Sequence, residues 1–179
     1  MPLSALRTVV SNTGPLISAF QSNRVDILLQ LYDLIVIPDS ELAEFKKHGA
    51  TKEINKLIEA ETVVVHALTD TEKTIAKEIS EAIASSRHTK DKIAMHHYPE
   101  AEAMVLMNRP SLSVQEILLD ELAARDIAKQ RRIPVIGFAG VLIRACQRGL
   151  LSAEAIRDSL TLCQKLRNTL FYQFYCRSL

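Results

Sequence analysis

No stretch of the sequence approaches 18 consecutive apolar residues, and no basic-then-apolar segment resembles a secretory leader, so neither a membrane span nor export is expected. The cytoplasm is the compartment these absences imply. Only three cysteines are present, Cys146, Cys163 and Cys176, widely spaced and far from any CxxC pair. An odd number without a spacing pattern excludes a disulfide framework and a dithiol redox motif, and reads as reduced thiols filling a core. The five histidines, His48, His66, His88, His96 and His97, show no HExxH spacing, and no serine lies in a GxSxG elbow. A zinc-peptidase site and a serine nucleophile therefore lack support. Neither a P-loop nor a dinucleotide glycine pattern occurs, which leaves a small-nucleotide hydrolase as the weakest reading. Net charge is only +1, so no global field favours nucleic acid, although a local basic groove offset by a carboxylate site is compatible with that total.

What is present fits one ordinary domain. The 179 residues are 47% apolar and 24% charged, enough to bury a substantial core. Arg7 to Ser11 reads as a buried strand and Leu34 to Ile37 as a second, with helical patterns around Leu16, Ile17 and Phe20 and around Val25, Leu28 and Leu31 between them. Asp39 or Ser40 can cap a helix that His48-Gly49 ends, and Glu53 to Ala60 forms another before the strand TVVVHAL. Thr69 with Glu72 makes a capping-box pattern for a long helix to about Ala84. The polar run SSRHTKDK then predicts a mobile excursion around residues 85–98. PEAEAMVLMN reads as a helix, EILLD as a strand, ELAARDIAKQRR as a helix, IPVIG as a fifth strand and FAGVLIRACQRGL as a helix. A last helix starts after Ser152, and the aromatic tail LFYQFYCRSL is expected to form a terminal strand on the core. Alternation of strands with helices of this length predicts a three-layer α/β/α domain with a mostly parallel sheet of about five strands.

On that scaffold the oxygen-bearing side chains fall in a pattern. Asn12 and Asp120 each follow an apolar strand and precede a helix, the position that opens onto the ligand crevice of a parallel sheet. Glu44 lies near the start of one helix, Glu100 and Glu102 open another, and Glu121 adjoins Asp120. Such a cluster suits Mg²⁺ or Mn²⁺, hard ions that take oxygen ligands and support phosphodiester hydrolysis. Helix dipoles also favour acids in first turns, so Glu41, Glu44, Glu100 and Glu102 can be read as capping or surface charge. Asp120 can equally be an N-cap, and Asn12 an Asx-turn residue. Glu100 and Glu102 cannot face the same way on one helix, and apolar periodicity does not choose between them.

Four segments, VVSNTGPLI (9–17), VIPDSELAEF (36–45), PEAEAMVLM (99–107) and the stretch from ILLDELAARD through CQRGLL (117–151), together resemble a PIN domain. The likeness is to compact prokaryotic PIN-like proteins of uncharacterised function related to toxin–antitoxin ribonucleases. It implies a metal-dependent endoribonuclease acting on single-stranded RNA, with metal ligands at Asn12, Glu44, Glu102 or Glu100, and Asp120, and with Glu121 placing the nucleophile. It also implies a small antitoxin partner, a homodimer or higher homo-oligomer, and backbone contacts from Arg125, Arg144 and Arg148, with Arg131 and Arg132 as further candidates. Three positions depart from the pattern: Asn12 stands where an acid is usual, removing a negative charge, Glu121 stands where relatives often carry a second aspartate, and Pro99 replaces a glycine. The competing reading is a catalytically weak or inactive PIN-like module that binds nucleic acid or protein.

Overall fold

A computed structural model describes residues 6–176, with side chains through residue 166. Five strands, β1 (Thr8–Ser11), β2 (Leu34–Pro38), β3 (Val63–His66), β4 (Glu116–Leu118) and β5 (Val135–Ile136), form one sheet. Every neighbouring pair is parallel, and the spatial order is β3-β2-β1-β4-β5. Helices α1 (Thr13–Gln21) and α2 (Val25–Leu31) connect β1 to β2, and α3 (Glu41–Lys47) and α4 (Thr51–Glu59) connect β2 to β3. The chain then returns through α5 (Asp70–Ser85) and α6 (Tyr98–Met107) to β4, and through α7 (Leu122–Gln130) to β5, before α8 (Phe138–Gln147) and α9 (Ala153–Cys176).

Strand alternation sets the layers. Val9, Ile35 and Ile37 face a core shared with Leu16, Leu28, Phe45, Ile54, Val141 and Leu142. Their neighbours Val10 and Val36 face the opposite core, built with Ile79, Ile83, Met104, Leu106 and Ile127. Helices α1 to α4, α8 and α9 thus cover one face, and α5, α6 and α7 the other. That segregation follows from the right-handed crossover rule, because the chain winds outward from β1 in one direction and returns to wind the other way from β4. The two central strands, β1 and β4, consequently have their first connections on opposite faces, and a crevice opens at their carboxyl ends. Asn12 and Asp120 are the residues at that crevice, with the Asn12 N–H still donating to the Leu118 carbonyl at 3.3 Å.

The predicted capping box forms: Thr69 Oγ1 accepts from the Glu72 N–H and Glu72 Oε2 from the Thr69 N–H, and Arg109 ties Glu72 to the end of α6. After the SSRHTKDK stretch the chain makes a 3₁₀ turn, Ala94–His97, that runs directly into α6. The aromatic tail differs from expectation. Instead of a terminal strand, the backbone continues α9 as helix to Cys176, so no sixth strand is added to the sheet. A helix satisfies its own backbone groups without a neighbouring strand, so β-prone residues can continue α9. Among the described residues, no helix is long and apolar enough to cross a membrane.

Helix α3, which carries Glu41 and Glu44, is anchored by one large side chain. Phe45 is fully buried and meets Phe20 of α1 edge-on, with ring centroids 6.2 Å apart. Phe45→Ala is expected to cost about 3–5 kcal/mol of unfolding free energy in a urea titration. A loss under about 1 kcal/mol would show that α3 is held by its backbone links alone.

Candidate metal centre

Strand β1 ends in Ser11, and the next three residues turn directly into α1, leaving Asn12 as the cap position in extended conformation. Its side chain makes no capping bond. Instead Asn12 Nδ2 donates to Glu100 Oε1 at 3.1 Å, which ties the β1 exit to the first turn of α6. At the β4 exit, Asp120 Oδ1 accepts from the Phe138 N–H at 2.7 Å, at the positive end of α8. Asp120 Oδ2 faces Ser18, 3.5 Å from its Oγ. The turn beneath this carboxylate has room only for glycine: a Cβ on Gly137 would lie 2.9 Å from Asp120 Oδ1 and 3.2 Å from the Leu119 carbonyl.

These groups line a cleft of about 710 Å³ whose walls include Asn12, Glu41, Glu44, Glu100, Asp120 and Glu121. Of the acids singled out in the sequence, the structure brings all but one together. Glu102 is the exception. It is buried on the opposite side of α6, where it accepts a hydrogen bond from Ser40, outside the lining of the cleft. Residues two positions apart on a helix point about 200° from each other, so α6 can aim only one of the two glutamates at β1 and β4, and that one is Glu100. Glu44 sits at the rim, half-buried and paired with Lys47.

The arginines divide in the same way. Arg144 is bound to Glu116 and to the Tyr32 hydroxyl, at the amino ends of the strands, opposite the cleft. Arg148 caps the end of α8 on that same side and is exposed. Neither is placed to contact a substrate in the cleft, because parallel α/β helices run antiparallel to the strands and α8 carries these residues away from its start at Gly137. Arg125 remains close, with Nη1 3.2 Å from the same Gly137 Cβ position that approaches Asp120, and its buried Nε has no hydrogen-bond partner. Lys47, His48 and His96 supply further basic groups on the cleft wall.

Two participants went unrecognised in the sequence. The first is His97, buried, with Nδ1 3.2 Å from Glu121 Oε1 and Nε2 3.0 Å from the Asp91 carbonyl. Burial works against its charged form, but the Asp91 carbonyl, Glu121 and Glu100 together outweigh it and hold its pKa above the usual value. His97, Glu100 and Glu121 offer ligand atoms all within 4.8 Å of one another, a group able to hold a metal ion. A lone His-His pair outside any metal spacing gave no signal of this. The second is Glu41, fully buried, with Oε2 accepting from the Thr13 N–H at 2.9 Å and also from the Thr13 hydroxyl.

The donor set fits a hard cation. Asn12 Oδ1, Glu41 Oε1 and Glu100 Oε2 are buried acceptor oxygens with no hydrogen-bond donor. Unsatisfied buried oxygens are costly, and several on one cleft call for a shared positive partner. Burial, with neighbouring Glu100 and Glu102, pushes the Glu41 carboxyl up to about 8 despite its bonds to Thr13, and burial with Glu121 pushes Glu100 up to about 7.

A carboxyl whose folded pKa is raised favours folding below its unfolded value and loses that contribution as pH rises through the folded value. In metal-free protein, Glu41→Gln should therefore melt above wild type at pH 8.5 or so, with the gap closing as pH falls toward about 5. A gap independent of pH would mean that Glu41 is ionised at little cost. Gly137→Ala should lower the melting temperature and weaken the Asp120 contact to Phe138, read as faster amide exchange at Phe138. Unchanged exchange would show that the turn yields without moving Asp120.

A family model described as a PIN domain matches residues 8–175 of the chain. No curated protein matches it.

Proposed function

The chain belongs to the PIN-domain family, and on that premise we propose that it is a Mg²⁺- or Mn²⁺-dependent endoribonuclease that hydrolyses phosphodiester bonds in single-stranded RNA. The observation that carries the metal is the meeting of buried, donor-less oxygens from β1, α3 and α6 at the crevice between β1 and β4. The choice of RNA, and a role as the toxin of a toxin–antitoxin pair, rest on the family resemblance.

Asn12 Oδ1, Glu100 and Asp120 would hold the cation, with Glu44 reaching it from the rim through water. When bound, a divalent cation supplies Lewis-acid activation of water and neutralises charge on the transferring phosphoryl group. The chain's own residues supply the rest. Asp120 is held in one orientation by the Phe138 N–H on Oδ1, with Oδ2 accepting only a long bond from Ser18 Oγ, so the carboxylate meets a cation in the cleft without reorganisation. Glu121 and His97 form a hydrogen-bonded pair beside Glu100, placed to take and hold the proton that leaves an attacking water. Arg125 and the cleft-wall groups Lys47 and His96 offer backbone phosphate contacts.

Purified protein should cleave members of a diverse single-stranded RNA pool in Mn²⁺ or Mg²⁺ and lose activity in EDTA. Asp120→Asn keeps an oxygen for the Phe138 N–H, so it should retain the fold and lower cleavage at least about a hundredfold. Folded protein that cleaves no RNA with either metal would favour the binding-module reading.

A further inference from the structure

Asn12 leaves the end of β1 without the negative charge that a cation there would use, and the structure shows what occupies the adjoining space. Glu41 projects from the first residue of α3 into the cleft and is fully buried. Its Oε2 is fixed by the N–H and hydroxyl of Thr13, the residue immediately after Asn12. This contact fixes the carboxylate on the residue that follows Asn12, in the cleft that both line. Its other oxygen, Oε1, is buried with no donor, as is Asn12 Oδ1. Asn12 Oδ1 and Asp120 Oδ2 converge on Gly14: a Cβ there would make ordinary contacts with them at 3.7 and 3.8 Å.

We propose that Glu41 is a cation ligand of the cleft, contributing from α3 the negative charge that Asn12 does not carry. The inference rests on the metal reading given above and assigns to it a ligand from a different element. Capping α1 through Thr13 explains only half of the geometry. One carboxylate oxygen suffices for that bond, and a neutral amide would make it without the cost of a buried charge beside Glu100. The unused oxygen has a purpose only if a positive partner binds against it. With Glu41, the set around the cleft becomes three carboxylates, Glu41, Glu100 and Asp120, with the amide oxygen of Asn12. Charge count is one of the quantities that tune the affinity of an oxygen site for a divalent ion.

The test is a binding cycle on the full-length protein, stripped with EDTA and titrated with MnCl₂ by calorimetry. Wild type should bind Mn²⁺, Glu41→Gln should bind on the order of tenfold to a hundredfold more weakly, and Asn12→Asp added to Glu41→Gln should recover most of the loss. Glu41→Gln with wild-type affinity would overturn the proposal and leave the metal reading standing. A double variant as weak as Glu41→Gln would also overturn it, since charge at Asn12 would then not replace charge at Glu41. Absence of Mn²⁺ binding by wild type would remove the metal reading itself, and this assignment with it. Should Glu41→Gln fail to fold, Glu41→Asp decides: its shorter carboxylate cannot hold Thr13 and reach the cation together, so Mn²⁺ binding should weaken severalfold, and wild-type affinity would overturn the proposal.

Discussion

The reversal of strand order between β1 and β4 is the constraint on which the site depends. Because crossovers are right-handed, winding away from β1 in one direction and from β4 in the other sends their first helices to opposite faces of the sheet. No helix can then cover the carboxyl ends of both strands. The gap at that edge is where α1 and α8 begin, so the positive ends of two helices and the exits of two strands face one crevice. An acidic site placed anywhere else on this sheet would lack that convergence.

The crevice carries a stability cost that a bound cation would offset. Three buried oxygens without donors, one of them on a fully buried carboxylate, oppose folding through desolvation and mutual repulsion. The rest of the domain offsets this with two apolar cores, one on each face of the sheet. His97 offsets part of it locally, since its ring lies between Glu121 and the Asp91 carbonyl with both nitrogens facing acceptors. On the proposed reading, the charge that Asn12 lacks is supplied from α3 by Glu41.

Much of this was legible in the residues. Periodicity located every strand to within a residue or two, and apolar runs ending in Asn12 and Asp120 marked the two strand exits that the topology makes adjacent. The arginines were less legible, because a basic residue on an amphipathic helix announces neither which end of the sheet it will reach nor which acid it will meet. Arg144 went to Glu116 and Tyr32 for that reason. The aromatic tail misled in another way: β-prone residues do not make a strand when the backbone can extend an existing helix.

By itself, the sequence determined the alternation of strands and helices and the identity of the strand-end residues, since these follow from local patterning and from turn positions. Only the tertiary structure decided which side of α6 meets the cleft, so that Glu100 and not Glu102 reaches Asn12. It alone brought in Glu41 and His97, whose neighbours lie 28 and 24 residues away in the chain, at Thr13 and Glu121. The physical reason is that burial and the absence of a donor are properties of the surroundings, and no side chain carries them in its own local sequence.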